Sequence, residues 1–562
     1  MRSIRLVAAA ALLATSSIAL SQAQTQTTPA PAAAAAAPAA SADGVTFTPE
    51  GFRAHVAFLA DDVLEGRNAG DRGYDIAARY VATELEGLGV KPANGSDWYQ
   101  QVPFVERTSG TAGGLTVGTK TFPNGEGALV GLAKEGPQTW SGDAVFVGYG
   151  INDPALKMND YAGLDVKGKA VVMLNGAPKG LPSDVAATVN GQKSKWAEAA
   201  GATAVLQVPS DELLKRFPPA MIRGELSRPQ LGLANADGTP MRSAPGIQGS
   251  GFLLPESQAA IFAGSPMTAQ QVQAAIAAGK PVKGFALKQP IKLEAASSWR
   301  RFTSPNVVGF IQGSDPALAN EYVLLMAHLD HNGINEKAPG EDKIWNGAMD
   351  NATGVATMLE VARAFQQSGT KPKRSILFAA VTAEEDGLLG SDYLARNPLP
   401  GKKVVSVVNL DMPILLYDFT DVTAFGAEHS TMGPLVAAAA AKSGVKLSPD
   451  PVPEENLFVR SDHYSFVKQG VPSVFLVTGF ANGGEAAFKG FLNPQTGNYH
   501  KPSDDMKQPI NWQAGAKFAR VNYDIARSIA DAPQAPRWYE GSPFGNQYAK
   551  GQPKAPKPAA AK

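Results

Sequence analysis

Cysteine is missing from all 562 residues of this chain. Its absence excludes a disulfide framework, a Cys-based zinc site and a cysteine nucleophile. Neither sign of charge is in excess, because 51 basic side chains are balanced by 51 acidic ones. This balance gives no basis for binding nucleic acid or an anionic membrane. Histidine is also scarce, with six residues, so imidazole chemistry must be sought at few positions.

The N-terminal residues have the pattern of a secretory signal. A basic start, Met1-Arg2-Ser3-Ile4-Arg5, precedes an apolar run from Leu6 to Leu13, and Ser21-Gln22-Ala23 is a small-x-small cleavage candidate. The run is too short to span a membrane, which takes about 20 apolar residues. We therefore expect residues 1–23 to be a signal peptide. The mature chain would be exported, without a membrane span, to the periplasm or medium of a bacterium.

Composition divides the remaining chain into folded and unfolded parts. Residues 24–44 are rich in Thr, Pro and Ala, which predicts a disordered linker, and the end of the C-terminal tail (536–562) has a similar Lys, Pro and Ala composition. Because single cores stop growing at about 250–300 residues, we expect two folded units between them. One is discontinuous, formed by 45–124 and 297–535. The other is an insert at 125–296, whose short apolar segments are punctuated by Gly and Pro and predict a β-rich module.

The discontinuous unit is predicted to be an α/β domain with a mostly parallel, mixed sheet flanked by helices. The evidence is a long alternation of apolar strands and amphipathic helices after Ser304-Pro305-Asn306. Predicted strands cover 306–311, 322–327, 375–382, 404–410 and 473–477, and predicted helices lie within 48–89, 353–365 and 434–443.

Polar side chains that can bind metal directly follow several of these strands or precede a helix. The set comprises His328, Asp330, His331, Asp350, Glu384, Glu385, Asp411 and His500. Each one alone has an ordinary structural explanation, such as helix capping for Asp350. Open α/β sheets, however, place their ligands at the carboxyl ends of strands, and half of the chain's histidines fall in this set. Imidazole and carboxylate ligands suit zinc first, with Co²⁺ or Mn²⁺ as substitutes, and a two-metal site needs a bridging carboxylate.

The order and spacing of these motifs resemble the M28 family of zinc peptidases. The matching segments are Ala327-His328-Leu329-Asp330-His331, Gly347-Ala348-Met349-Asp350-Asn351-Ala352-Thr353-Gly354, Thr382-Ala383-Glu384-Glu385, Gly387-Leu388-Leu389-Gly390-Ser391 and Asn409-Leu410-Asp411. Further similarity lies in Arg460-Ser461-Asp462-His463 and between Leu59 and Arg67. The resemblance covers about 48–124 and 305–532.

This resemblance implies a role for each matched residue. His328 and Asp411 would bind one zinc ion, Glu385 and His500 the other, and Asp350 would bridge both. Glu384 would be the general base, Asp330 would orient His328, and Tyr499 would donate to the tetrahedral oxyanion. Asp462 and His463 are candidates for contact with the substrate, His331 for support of a metal ligand, and Asp504 for ordering the loop that carries His500. A purely structural role is the alternative for each of these residues.

The insert resembles a protease-associated (PA) domain. The similarity lies in Tyr149-Gly150-Ile151, in the segment from Asp160 to Lys169, and in Lys195-Trp196-Ala197-Glu198-Ala199-Ala200-Gly201-Ala202. It implies a lid or a substrate-gating surface, with a purely structural insert as the alternative. Residues 209–241 fit no pattern.

The function expected from these features is an exported two-zinc metallopeptidase acting on peptide substrates, specifically an aminopeptidase that releases N-terminal residues. Two kinds of alternative stay open at this point. One keeps the metal site and changes the reaction to that of a carboxypeptidase, dipeptidase or glutaminyl cyclase of the same fold. The other is a non-catalytic, receptor-like protein. The side-chain preference and the oligomeric state are not predicted.

Overall fold

The computed structural model describes residues 44–226, 228–338 and 340–558, which fold into two compact units. The first, which we call the α/β unit, contains the described residues up to 101 together with 304–451 and 460–558. The second, the insert, contains 102–303 and 452–459. The insert thus starts earlier and ends later than the predicted boundaries at 125 and 296. The signal peptide predicted at 1–23 and nearly all of the linker lie outside the described residues.

The α/β unit is built on a mixed sheet with parallel central strands. Its strand order is the end of Ile291–Ile311, then Ser375–Val381, Glu321–His328, Lys403–Leu410, Ser473–Thr478, Asp421–Phe425 and Lys446–Ser448. The four strands from Ser375–Val381 to Ser473–Thr478 pair in parallel, whereas the pairs on either side of them are antiparallel. This arrangement confirms the predicted mixed α/β sheet. Short strands also lie at Lys91–Pro92, Gly333–Ile334 and Ile344–Trp345.

Helices cover this sheet and bury most of its apolar side chains. They span Pro49–Leu59, Arg72–Gly87, Thr353–Gln367, Leu389–Arg396, Met432–Lys442, His463–Val467, Gly484–Phe491, Trp512–Asp531 and Pro543–Tyr548. Thr353–Gln367 is buried over most of its circumference, because it packs against the sheet and also against Pro49–Leu59 and Trp512–Asp531. No helix within the described ranges is both long and apolar enough to span a bilayer.

The predicted helical region 48–89 consists of two helices joined by the short helical turn Asp62–Arg67. Thr48 caps the first helix, since its Oγ1 accepts the Gly51 amide at 3.1 Å. Gly66 has a φ of +71°, and a Cβ there would lie 2.6 Å from the carbonyl oxygens of Gly333 and Trp345. Only glycine permits this close approach, which places Arg67 inside the α/β unit.

The insert has its own six-stranded sheet and is more helical than its sequence texture predicts. The strand order is Phe285–Ala286, Ala144–Phe146, Ala170–Leu174, Ala204–Val208, Gly249–Leu253 and Ala128–Leu132. Additional strands are Tyr99–Val117, Lys120–Pro123, Gly136–Gly142, Asn152–Asp153, Met158–Asn159, Gln230–Leu233 and the start of Ile291–Ile311. Its helices are Ser183–Ala199, Asp211–Arg216, Pro219–Leu226, Pro255–Ile261 and Ala269–Ala277. The unassigned residues 209–241 therefore form two short helices and a strand.

The C-terminal segment differs from the disordered tail that its composition predicts. Trp538 is buried and its Nε1 donates to the Gly470 carbonyl at 2.8 Å. The backbone of Ala555 donates to Trp538 and accepts from Glu540, both within 2.9 Å. The Trp538 side chain and these backbone hydrogen bonds order the segment as far as Ala555, which a count of Lys, Pro and Ala does not reveal.

Candidate metal centre

Three adjacent strands of the α/β sheet end at the same edge. Each has a histidine or carboxylate residue, of a type that binds metals, at or just after its last residue. His328 is the last residue of Glu321–His328, Asp411 follows Lys403–Leu410, and Glu384 and Glu385 follow Ser375–Val381 by a short turn. The strands pair in register, with His328 opposite Val381 and Met326 opposite Asn409. Parallel pairing therefore brings these side chains together at the carboxyl ends of the strands, as expected for an open α/β sheet.

A first cluster of ligand atoms surrounds His328. Its Nε2 lies 3.1 Å from Oδ1 of Asp411 and 3.3 Å from Oδ1 of Asp350. His328 and Asp350 are buried, and Asp411 is mostly so. One imidazole nitrogen and two carboxylate oxygens thus converge on one point.

A second cluster surrounds His500. Its Nε2 lies 3.2 Å from Oδ2 of Asp350 and 3.2 Å from Oε2 of Glu385. Asp350 therefore turns one carboxylate oxygen to each cluster, which is the geometry of a bridging ligand. The potential ligand atoms of His331, Asp350 and Glu385 also lie within 4.8 Å of one another. We assign the imidazole of this cluster to His500, because it contacts both carboxylates through one nitrogen, whereas the near nitrogen of His331 faces Glu385 alone.

The protonation of these groups shows how strongly the clusters attract positive charge. Burial opposes protonation of His500, yet the Glu385 charge and hydrogen bonds to Asp350 and Glu385 raise its pKa to about 10. Burial likewise opposes the rise in the pKa of His328, which Asp411 and Asp350 produce. Hydrogen bonds from His328 and His500 lower the pKa of Asp350, against its burial and the Glu385 charge. The imidazoles that gain positive charge here, and the buried carboxylate oxygens that face them, are donors of the types that divalent cations such as zinc bind.

Hydrogen bonds between side chains and backbone groups fix the loop that carries Asp350. Asp504 accepts the amides of Met349 and Asp350 through its two carboxylate oxygens at 2.9 and 3.0 Å. Asn351 donates to the Leu410 carbonyl and accepts the Met412 amide, at 2.9 and 3.0 Å. The peptide bond between Asp350 and Asn351 is cis. The hydrogen bonds of Asn351 tie the Asp350 loop to the strand end that carries Asp411.

Asp330 is placed differently from what the resemblance implies. The contact with His328 Nδ1 comes from the main-chain oxygen of Asp330 at 3.1 Å, while its carboxylate is 3.9 Å away. That carboxylate accepts the amides of Glu384 and Glu385 at 3.0 and 3.2 Å. Asp330 therefore touches His328 through its backbone and holds the two glutamates through its side chain.

Glu384 lies beside the clusters without belonging to either. Burial, and then the charges of Asp411, Glu385 and Asp462, raise its pKa well above the ordinary value, although His328 opposes the shift. A carboxylate that holds a proton more readily than usual is suited to general base work. Glu385, in contrast, has its pKa lowered despite burial, by the charge of His500 and a hydrogen bond to His331.

The ring of Tyr499 stacks on the ring of His500, the next residue in the chain. The ring centroids of Tyr499 and His500 are 3.9 Å apart and nearly parallel at 22°. Burial raises the pKa of the phenol well above its usual value, with the charges of Asp350 and Glu385 adding to the effect. The hydroxyl therefore keeps its proton and can act as a donor.

Sequence reasoning missed the roles of Arg67 and Ser461. Arg67 is fully buried, and its guanidinium donates to the carbonyls of Leu59, Leu329, Asn346 and Gly347. Burial lowers its pKa to about 10, while nearby carboxylates oppose the shift. Ser461 donates to Oδ2 of Asp411 at 2.5 Å and accepts from Asn409 at 2.6 Å. Both residues stand in quoted motifs, but their partners are distant in sequence, so only the fold reveals the contacts.

Asp462 and His463, the residues after Ser461, are buried in the α/β unit with no solvent exposure. Asp462 begins the helical turn His463–Val467, and the ring of His463 lies 5.5 Å from that of Phe475. This placement favours the structural alternative for both residues over direct contact with substrate.

Comparison with known proteins relates this region to one family of peptidases. The sequence model of peptidase family M28 matches residues 306–526. A probable zinc metalloprotease of Pyrenophora teres f. teres is 37% identical over 107 residues, or 19% of this chain and 22% of that protein. A probable leucine aminopeptidase 2 of Aspergillus oryzae is 28% identical over 228 residues, or 36% of this chain and 40% of that protein. The chain thus spans less than half the length of these relatives.

Among the solved structures that resemble this chain is an aminopeptidase from Aneurinibacillus sp. strain AM-1. It is 20% identical, covers 87% of this chain and 95% of its own, and superposes with a TM-score of 0.49. The match over residues 306–526 agrees with the sequence motifs and with the arrangement of the metal-binding side chains, and it makes this part of the chain similar to peptidase family M28.

Proposed function

We propose that this chain is a two-zinc metallopeptidase that releases N-terminal residues from peptides. The observation that carries the proposal is the position of Asp350, whose two carboxylate oxygens face two separate clusters of histidine and carboxylate. The match of residues 306–526 to peptidase family M28 supports the same interpretation of the site. The residues that would hold the ions are His328, Asp350, Glu385, Asp411 and His500.

The proposed reaction adds water across the peptide bond without a covalent intermediate. When bound, two zinc ions polarise the scissile carbonyl and bring the pKa of water from about 16 towards 7. Glu384 takes a proton from the attacking water at its carboxylate and passes it to the nitrogen of the leaving amine. Tyr499 donates its hydroxyl hydrogen to the developing oxyanion, a contact typically worth about 3 kcal/mol. The Asp330 carboxylate keeps Glu384 in place by accepting its backbone amide.

Three observations favour release of N-terminal residues. The candidate centre is lined with carboxylates, which suit the ammonium group of a free N-terminus. The chain also resembles a probable leucine aminopeptidase 2 over 36% of its length. The buried guanidinium of Arg67 is saturated by backbone carbonyls and therefore offers no binding group for a substrate carboxylate.

A carboxypeptidase is the second candidate, and Arg460 is the residue that favours it. Arg460 directly precedes Ser461, which contacts Asp411, and its charge opposes the rise in the pKa of Tyr499 that burial causes. A guanidinium near the proposed oxyanion donor is suited to a terminal carboxylate. Under this alternative, substitution of Arg460 would raise KM for substrates with a free C-terminus.

Export through the N-terminal signal and a PA-like gating role for the insert are also part of this proposal. N-terminal sequencing of protein recovered from the periplasm or medium tests the first, with a start near residue 24 expected. Retention of Met1 in exported material would contradict it.

The central experiment is hydrolysis of a panel of aminoacyl-p-nitroanilides, with and without chelator, by wild type and a Glu384→Gln variant. Loss of the base should lower kcat by roughly 10²- to 10⁴-fold while metal content persists. Glu485→Gln, at an exposed glutamate paired with Lys489, is the matched control and should leave kcat unchanged. Cleavage confined to N-blocked peptides would reject the aminopeptidase proposal, and protein without bound metal would reject the metallopeptidase.

A further inference from the structure

His331 is held tightly within the α/β unit, next to the candidate centre. It is 1% exposed, and its ring lies beside those of His500 and Trp345, with centroids 5.6 and 6.5 Å away. Its amide donates to the Arg67 carbonyl at 3.2 Å. A Cβ on Gly347 would lie 2.6 Å from His331 Cγ, so the glycine leaves space for the ring. The position of this imidazole is therefore determined on several sides.

The polar contact of this ring is directed at one oxygen of Glu385. His331 Nδ1 lies 2.8 Å from Glu385 Oε1, and the Asn332 amide nitrogen is more distant at 3.5 Å. The ring's other nitrogen, Nε2, is buried without a hydrogen-bond partner. Because a carboxylate only accepts, Nδ1 carries the hydrogen in this contact. His331 therefore donates to Glu385 from a fixed position.

The second oxygen of Glu385 is turned the other way. Oε2 lies 3.2 Å from Nε2 of His500, in the second cluster. The amide of Glu385 is itself held by the Asp330 carboxylate at 3.2 Å. Side-chain torsions at the end of a glutamate are broad, so a backbone contact alone does not orient its carboxylate. The hydrogen bond from His331 supplies the missing restraint.

We infer that His331 is a positioning residue that holds Oε1 of Glu385 so that Oε2 is presented to the second metal with Asp350 and His500. The inference rests on the proposed two-zinc function and assigns His331 no direct bond to metal. Partners that orient a ligand in this way typically change metal affinity by about 10- to 100-fold. His331 thus acts on affinity through Glu385.

The test compares zinc binding by the full-length mature chain with that of three variants, using Zn²⁺ alone and a chromogenic chelator as competitor. His331→Phe keeps a ring but removes the N–H donor, and His331→Asn places an amide N–H near the position of Nδ1. His500→Phe removes the assigned ligand. Visible absorption of the Co²⁺-loaded proteins reports the geometry of the second site independently of activity, and far-ultraviolet circular dichroism checks folding.

We expect His331→Phe to weaken the second zinc by about 10- to 100-fold, and His331→Asn to restore both the affinity and the Co²⁺ spectrum. Wild-type affinity in His331→Phe, or an equal loss in His331→Asn, would overturn the inference and leave the two-zinc proposal intact. If His500→Phe retains the second zinc, His331 binds this ion directly, which also overturns the inference. Wild type that binds no zinc would instead reject the proposed function itself. Should His331→Phe fail to fold, His331→Leu removes the donor with a smaller side chain.

Discussion

At the scale of single residues, buried charge is stabilised in two different ways in this molecule. Around Asp350, opposite charges face each other, since its two oxygens contact His328 and His500. In the insert, Lys193 is buried at 2% exposure, and backbone carbonyls of Leu174 and Gly176 accept from its Nζ. Burial lowers the pKa of Lys193 to about 7, although Asp160 opposes the shift. The two kinds of site therefore respond to pH in different ways.

The lowered pKa of Lys193 predicts that the insert becomes more stable as the pH rises from 7 to about 10. In this window the unfolded lysine still binds a proton and the folded one does not, so the free energy of unfolding increases with pH. The increase is at most about 1.4 kcal/mol per pH unit. The gain in the free energy of unfolding is complete above pH 10.5, the ordinary pKa of lysine, and is lost as the pH falls towards 7. Urea midpoints measured across this range check the slope.

A pair of substitutions isolates Lys193 as the cause of this slope. Lys193→Met should flatten the dependence between pH 7 and 10. Lys195→Met, at an exposed position on the same helix, should leave it unchanged. An equal slope in wild type and Lys193→Met would disprove the assignment.

At the scale of elements, the junction between the Asp350 loop and the helix Thr353–Gln367 depends on glycine. Gly354 lies in the first turn of this helix, and a Cβ there would be 2.2 Å from Oδ1 of Asn351 and 2.4 Å from the Leu410 carbonyl oxygen. Those atoms belong to the hydrogen bonds that tie the loop to the strand carrying Asp411. The helix therefore starts where the site requires close backbone packing.

Gly354→Ala should destabilise the α/β unit by about 1–3 kcal/mol because of this overpacking. Helix propensity alone would predict the opposite sign, since alanine is favoured over glycine by about 1 kcal/mol in a helix. Gly191→Ala is the matched control. Gly191 lies inside the helix Ser183–Ala199 with nothing within 4 Å of an added Cβ, so this change should stabilise the insert by about 0.5–1 kcal/mol. Thermal unfolding of both variants decides between packing and propensity.

At the scale of the whole molecule, two units with separate apolar clusters should respond separately to metal removal. The α/β unit centres on residues such as Phe52, Leu359 and Phe518, and the insert on Phe146 and Phe262. A ligand stabilises only the state that binds it, by about 2.7 kcal/mol at a free concentration of 100 times Kd. Chelation should therefore lower the melting temperature of one calorimetric transition and leave the other in place.

Zinc added back in stoichiometric amount should restore the first transition. A variant with Asp350→Asn, which weakens the bridge between the clusters, should melt near the chelated temperature whether or not zinc is present. A chelator effect on both transitions would contradict the assignment of the metal centre to the α/β unit alone.

The sequence alone was enough to predict the sheet of the α/β unit and the convergence of its polar residues. Strands such as Glu321–His328 and Ser375–Val381 are continuous apolar runs, and local pattern determines their type. The placement of His328, Glu385 and Asp411 at the carboxyl ends follows from parallel pairing. Strand type depends on near neighbours in the chain, and each of these polar residues lies at or just after the end of its own strand, so both features can be recognised without coordinates.

Tertiary structure decided which atom of each residue is used and which distant residues support it. Asp330 meets His328 through its main chain and the glutamates through its carboxylate, a division that residue type does not reveal. The buried guanidinium of Arg67 and the packing of Trp538 depend on carbonyls contributed by segments far away in sequence. Apolar periodicity and motif spacing encode the local elements of this protein. The directions of its buried hydrogen bonds emerge only when the elements pack, because each donor must then find an acceptor that water no longer supplies.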